Sequence, residues 1–214
     1  LYRMNYAVIK KAISKDLAFF LFDYLKLKQK VLRTMLDTKY ISEFNVDFGK
    51  FGDGQVPDQY CVFGDTTFDC LLDLIKPKLE KKFKLKLYST YSYSRLYEKG
   101  SKLPRHKDRT SCSFSTTLNL GGDSWPIYLD PNKKNGAIIN NVTYEKGNKK
   151  GKEIKLNPGD MLVYKGDKLE HWREKFNGNL CGQVFLHYVD DSLKKFTNDT
   201  RPHLGLPPDF TNRN

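Results

Sequence analysis

The sequence predicts a mainly β domain with flanking helices, built as a double-sheet jelly roll or barrel, and three observations predict it. From Leu85 to Asp190 the chain runs in short stretches rich in Tyr, Ser, Thr and Val, separated by Gly, Pro, Asn and Asp, which is the pattern of strands joined by turns. Ahead of this region, two segments carry apolar residues at helical spacing. The length of 214 residues suits one ordinary domain with a single core.

The first helical segment runs from Ile9 to about Lys28, where Ile13, Leu17, Phe20, Leu21, Tyr24 and Leu25 recur at mixed helical spacing and Ser14 followed by Asp16 offers an N-terminal cap. Gly49 to Pro57 is rich in glycine and reads as a loop. Phe68 to Phe83 returns to helical spacing through Leu71, Leu72, Ile75 and Leu79, with a candidate kink at Lys76-Pro77. The expected strands are Leu85–Glu98, Cys112–Leu120, Pro126–Leu129, Gly136–Tyr144, Glu153–Leu156, Asp160–Tyr164 and Leu180–Val189. Asn157-Pro158-Gly159-Asp160 is a turn leading into the last but one of them. The chain thus divides into a helical and loop region, 1–84, packed on a β core, 85–190, with a polar, proline-containing tail, 191–214.

Composition narrows the class. A hydrophobic share of 39% with 14% aromatics excludes a disordered chain, and the longest strongly apolar run, Leu17 to Phe22, is too short to cross a bilayer. No charged-then-apolar leader opens the sequence, so a cytoplasmic protein without a membrane partner is the expectation. Cys61, Cys70, Cys112 and Cys181 are widely spaced with no C-x-x-C pair, which speaks against a zinc knuckle and for mostly buried thiols. A net charge of +12 attracts acidic partners such as nucleic acid, but much of the excess sits in two runs, Lys76 to Lys86 and Lys146 to Lys155, that read as solvated faces.

The chemistry concentrates at His106-Lys107-Asp108. Alternation along an extended segment puts His106 and Asp108 on one side, so both reach one ion. His171 follows the Asp160–Tyr164 strand, and two imidazoles with one carboxylate on a single face of a metal leave three coordination positions open, which suits iron(II) that must also bind a co-substrate and dioxygen. Among the four histidines, His203 lies in the tail and His187, on the last strong strand, competes with His171 for the third position.

At these residues the sequence resembles the 2-oxoglutarate- and iron(II)-dependent dioxygenases, especially the prolyl-4-hydroxylase-like branch. The resembling segment runs from about Tyr88 to Asp190 and includes R-L-Y-E-K-G-S-K-L-P-R-H-K-D, S-T-T-L-N-L, N-P-G-D-M-L-V-Y and the stretch from H-W-R-E to Q-V-F-L-H-Y-V-D. The resemblance implies a distorted double-stranded β-helix and a hydroxylase. Its metal is iron(II) on His106, Asp108 and His171, its co-substrate is 2-oxoglutarate, decarboxylated to succinate, and ascorbate is an accessory reductant. The implied target is an amino-acid side chain, in a peptide or free.

Carried over residue by residue, the resemblance assigns Tyr97 to the co-substrate, on a strand whose same-face neighbours are Tyr91, Tyr93 and Arg95. Thr117 is the polar group expected from the strand after H-x-D, where Ser113, Ser115, Thr117 and Asn119 share a face. One departure stands out. The family places a basic residue shortly after the second His to grip the distal carboxylate of 2-oxoglutarate, because a desolvated dianion needs a charged donor. Here Leu180-Cys181-Gly182-Gln183 has none, Gln183 falls at or beside the position, and Arg173 is the first candidate for the missing cation, followed by Arg95 and Arg109. Trp125-Pro126-Ile127-Tyr128 fits a strand at the pocket mouth or core packing equally well, and the excursion from Asn132 to Lys155 fits a lid or a plain exposed hairpin.

Two rival readings stay open. A nucleic-acid oxidative dealkylase would use the basic charge and aromatics to hold a strand and a flipped base, but the multi-arginine end of that family's domain is missing. A cupin-like metal-binding module without 2-oxoglutarate turnover would explain Gln183.

Overall fold

The computed structural model describes residues 5–139, 143–197 and 201. In chain order the elements are β1 (Tyr6–Ile9), α1 (Lys15–Asp37), β2 (Lys50–Phe51), β3 (Tyr60–Phe63), α2 (Thr66–Phe83), β4 (Leu87–Glu98), β5 (Leu103–His106), β6 (Phe114–Gly122), β7 (Ile127–Leu129), β8 (Ala137–Ile139), β9 (Thr143–Glu145), β10 (Lys152–Ile154), β11 (Met161–Tyr164), β12 (His171–Arg173) and β13 (Leu180–Asp190). Seven strands form a major sheet in the order β1-β11-β6-β13-β4-β3-β2, and four form a minor sheet in the order β10-β7-β12-β5. The β8–β9 hairpin stands apart from both. Among the described residues no helix is long and apolar enough to cross a membrane.

Both helices cover one face of the major sheet. Ser14 caps α1, its Oγ accepting from the Leu17 amide at 3.1 Å, and Ala18, Leu21, Leu25 and Leu32 form the buried stripe. Asp65 caps α2 in the same way through Thr67, and Phe68, Leu71, Leu72, Ile75 and Leu79 are its buried side. These residues pack with Leu96, Leu118, Val163, Val184 and Leu186 of the sheet into the largest apolar cluster. The opposite face of β4 carries Tyr91, Tyr93 and Tyr97 into a second cluster between the sheets, with Leu103, Trp125 and Phe176.

The structure departs from the sequence expectations at the N-terminal end. Ile9 closes a strand rather than opening a helix: β1 pairs with β11 from Tyr6↔Tyr164 to Ile9↔Met161, and Lys11, with φ 50°, turns the chain before Ser14 starts α1. Ile9 and Ile13 imitate helical spacing only because both are packed on the same core. The helix then continues past Lys28 to Asp37, and α2 runs unbroken through Pro77. Residues 1–84 therefore do more than pack on the β core, since β1, β2 and β3 are strands of the major sheet. The expected Gly136–Tyr144 strand divides into β8 and β9, and its centre, 140–142, lies outside the described residues. Three of the four cysteines are buried and Cys70 is exposed.

Candidate metal centre and its cavity

β5, at the edge of the minor sheet, and its neighbour β12 bring the first constellation together by direct pairing of His106 with His171. Asp108 follows β5 by two residues and is fixed by its backbone, whose amide donates to the Gly166 carbonyl at 2.8 Å. One ligand atom from each of His106, Asp108 and His171 lies within 4.8 Å of the others. Asp108 Oδ1 is 3.6 Å from His106 Nε2 and 3.5 Å from His171 Nε2. Ligands bound side by side on one ion at about 2.1 Å are about 3 Å apart, so a small contraction suffices.

The tautomers are dictated by the neighbours. His106 Nδ1 lies 2.7 Å from the Pro104 carbonyl and His171 Nδ1 lies 3.0 Å from the Leu169 carbonyl. A carbonyl only accepts, so each Nδ1 carries a proton and each Nε2, turned to Asp108 Oδ1, is the nitrogen left for a metal once the ring is neutral. This is the state a metal requires of a ligating imidazole. Burial and the neighbouring His171 lower His106 to about 4. Burial would lift Asp108, but the two imidazoles outweigh it and hold the carboxyl below the usual carboxylate range. Burial would likewise lower His171, and Asp108 overcomes it, leaving that imidazole raised. Tyr164 packs edge-on against the His171 ring at 4.7 Å.

From these three residues a cavity of about 610 Å³ opens between the sheets. Its lining includes Tyr91, Tyr93, Arg95 and Tyr97 from β4, as the same-face reading of that strand anticipated, with Phe63, Phe185 and His187 alongside. Arg95 donates to the hydroxyls of Tyr93 and Tyr97 and is ion-paired with Asp53. Asp53 sits in the Gly49–Pro57 loop, where its other oxygen accepts from the amides of Gln55 and Val56 at 2.9 and 2.8 Å. Sequence reasoning saw a loop there and missed this carboxylate, whose aspartate-turn spacing was its only local signal.

The remaining expected residues occupy a layer behind that lining. Arg173, on β12, is fully buried beside Tyr97 and Tyr164, donates to the Trp125 carbonyl, and has its second terminal nitrogen 3.4 Å from Thr117 Oγ1. Its Nε has no partner, and among the described residues no carboxylate pairs with it. Burial lowers the guanidinium from its ordinary value. Gln183 accepts from Thr117 Oγ1 at 3.0 Å and turns its amide nitrogen to Asn119 and Cys181. The side chains of Tyr97, Thr117, Arg173 and Gln183 are thus neighbours, with only Tyr97 reaching the cavity. His187 lines the cavity too, but its Nδ1 is 3.1 Å from Ser115 Oγ rather than directed at His106. His203 lies outside the described residues.

No family model matches the sequence, and no curated protein matches it. Solved structures match it in fold. The chain is similar to a prolyl-4-hydroxylase from Pseudomonas putida, 13% identical over 88% of this chain and 94% of that one, with a TM-score of 0.59. It is similar to the α-ketoglutarate-dependent epimerase SnoN of nogalamycin biosynthesis, 14% identical over 88% and 80%, TM-score 0.61. HygX from Streptomyces hygroscopicus, solved with nickel and 2-oxoglutarate bound, is 12% identical over 88% and 84%, TM-score 0.53. The fold is the double-stranded β-helix of these oxygenases.

Proposed function

We propose that this chain is a 2-oxoglutarate- and iron(II)-dependent dioxygenase that hydroxylates an amino-acid side chain, in a peptide or free. The observation that carries the reading is the triad itself: two imidazoles whose Nδ1 protons are committed to carbonyls, facing one oxygen of a half-buried carboxylate. Two neutral nitrogens and one carboxylate are the donor set of non-haem iron(II) sites, and they leave positions for co-substrate and oxygen. When bound, the metal would activate dioxygen, which is the oxidant; 2-oxoglutarate would supply two electrons and leave as succinate and carbon dioxide, one oxygen atom going to it and the other to the substrate.

The chain's own residues bind and orient. His106, Asp108 and His171 hold the ion, and Tyr164 covers the His171 ring from the interior. Arg173, one layer behind the cavity lining, is the cation for a distal carboxylate that reaches past Tyr97, because a buried guanidinium with an unused Nε and no acidic partner is costly until an anion satisfies it. Thr117 and Gln183 steady that guanidinium through the Thr117 hydroxyl, and Tyr97 closes the wall beside it. Arg95 is the weaker anchor, since Asp53 already neutralises it. Phe63, Tyr91, Tyr93 and Phe185 give the substrate side of the cavity aromatic walls. An amino-acid side chain as target rests on analogy of fold with the prolyl hydroxylase.

Succinate formation from 2-oxoglutarate tests the reading. Turnover that needs iron(II), is stimulated by ascorbate and is lost in His106→Ala is the expected result. Tight zinc binding without such turnover would point to the metal-binding module instead. For Arg173→Ala the requirement for 2-oxoglutarate rises sharply with metal affinity retained; an unchanged requirement moves the anchor to Arg95 or Arg109.

A further inference from the structure

We propose that Ser115 and His187 are positioning residues of the metal centre: His187 Nδ1 donates to Ser115 Oγ, which donates to Asp108 Oδ2 and leaves Oδ1 as the single metal-facing oxygen. This deepens the metal-site reading above and rests on it. Ser115 and His187 are direct partners across the β6–β13 ladder, far apart in sequence but brought together by register. Ser115 Oγ lies 2.5 Å from Asp108 Oδ2, 2.9 Å from the Cys112 carbonyl and 3.1 Å from His187 Nδ1.

Proton counting fixes the direction. A hydroxyl has one proton, and both the carboxylate and the Cys112 carbonyl can only accept. The charged oxygen is nearer and makes the stronger bond, so the proton goes to Asp108. Ser115 Oγ is then an acceptor toward His187, which obliges His187 to carry its proton on Nδ1. Space is reserved for this arrangement at Gly166, where a Cβ would collide with both Asp108 Oδ2 and Ser115 Oγ. The two oxygens of Asp108 are thereby given different tasks: Oδ1 faces the two Nε2 atoms, and Oδ2 is occupied by the protein. A carboxylate held in this way binds an ion through one oxygen and keeps a coordination position open for other ligands.

Titration of the full chain with cobalt(II), followed by its visible absorption, tests the relay. Ser115→Ala is expected to lower cobalt affinity by about 10- to 100-fold, the range for a partner of a ligating group, and to weaken the band as Asp108 becomes free to bind through both oxygens. Ser115→Thr, which keeps the hydroxyl, restores both. At position 187 the two amides separate relay from simple packing. Asn places an N–H where Nδ1 stands and retains affinity and spectrum, whereas Gln places it at the Nε2 position and behaves like Ser115→Ala, with thermal unfolding confirming that each variant is folded. Wild-type affinity and spectrum in Ser115→Ala, with cobalt binding lost in His106→Ala, overturns the relay while the metal site stands. Equal cobalt binding by wild type and His106→Ala overturns both.

Discussion

The two faces of the minor sheet are made from the same short stretches of sequence and are satisfied in opposite ways. On the inner face His106 and His171 line the cavity between the sheets, and Arg173, buried behind that lining, keeps an Nε without a partner. On the outer side Arg105, immediately before His106, spends its guanidinium fully. Its Nε and Nη2 donate to Glu170 Oε2 at 3.1 and 2.8 Å, its Nη1 donates to the Lys149 carbonyl, and its plane lies 3.5 Å over the Trp172 ring. Glu170, immediately before His171, is fully buried and takes the Gly147 amide on its other oxygen. Gly151, with φ 69°, fits under Trp172 where any Cβ would strike the ring. Lys107, between the proposed ligands His106 and Asp108, donates to the carbonyls of Lys133 and Gly136 at 3.0 and 2.5 Å. One guanidinium is completed by protein and the other keeps a buried nitrogen without a partner, the one proposed for the co-substrate. The two ends of the excursion after Asn132, at Lys133 and Gly136 and at Gly147 and Lys149, are thereby fastened by residues that alternate with the proposed ligands.

This contrast can be broken from either side. The largest effect is expected for Glu170→Ala, which leaves Arg105 without its buried partner: a loss of about 3 to 5 kcal/mol in urea unfolding, with metal still bound by whatever fraction is folded. Asp108→Ala should do the reverse. Its metal affinity, measured by calorimetry with nickel(II), should fall by at least about 100-fold, because even an indirect partner is worth 10- to 100-fold, while unfolding in the absence of metal changes little. If Asp108→Ala bound metal as wild type does, the inner face would not be a metal site. The smallest effect belongs to Lys107→Met. An exposed-to-half-buried ammonium on two carbonyls is worth about 1 kcal/mol, and the expected change is faster hydrogen exchange confined to 133–136.

The ligand pattern was legible in the sequence because the extended chain runs on for two residues past the end of β5, with the Asp108 amide held by the Gly166 carbonyl, so period-two alternation still puts His106 and Asp108 on one side. The strands themselves were harder. β5 contains Pro104 and β12 has only three residues, too few for alternation to rise above its surroundings. β1 and β3, four residues each, draw their stability from pairing with β11 and β4, partners that lie far along the chain. The same limit hid the second layer of the site. Asp53 reaches Arg95 from a loop, and Ser115 meets His187 only through the register of β6 on β13. Gln183 shows the converse: its position in the sequence suggested contact with the co-substrate, whereas its amide is engaged by Thr117, Asn119 and Cys181 behind the cavity wall. Residues whose role depends on local spacing were readable, and residues whose role depends on a neighbour brought by another strand were not.

The most direct measurement is an anaerobic titration of the iron(II)-loaded protein with 2-oxoglutarate, watched in the visible for the charge-transfer band of a keto acid chelated to the metal. The band is expected to appear in the wild type and to be absent in His106→Ala. Iron that binds at His106, Asp108 and His171 without giving the band would contradict the assignment of 2-oxoglutarate as co-substrate.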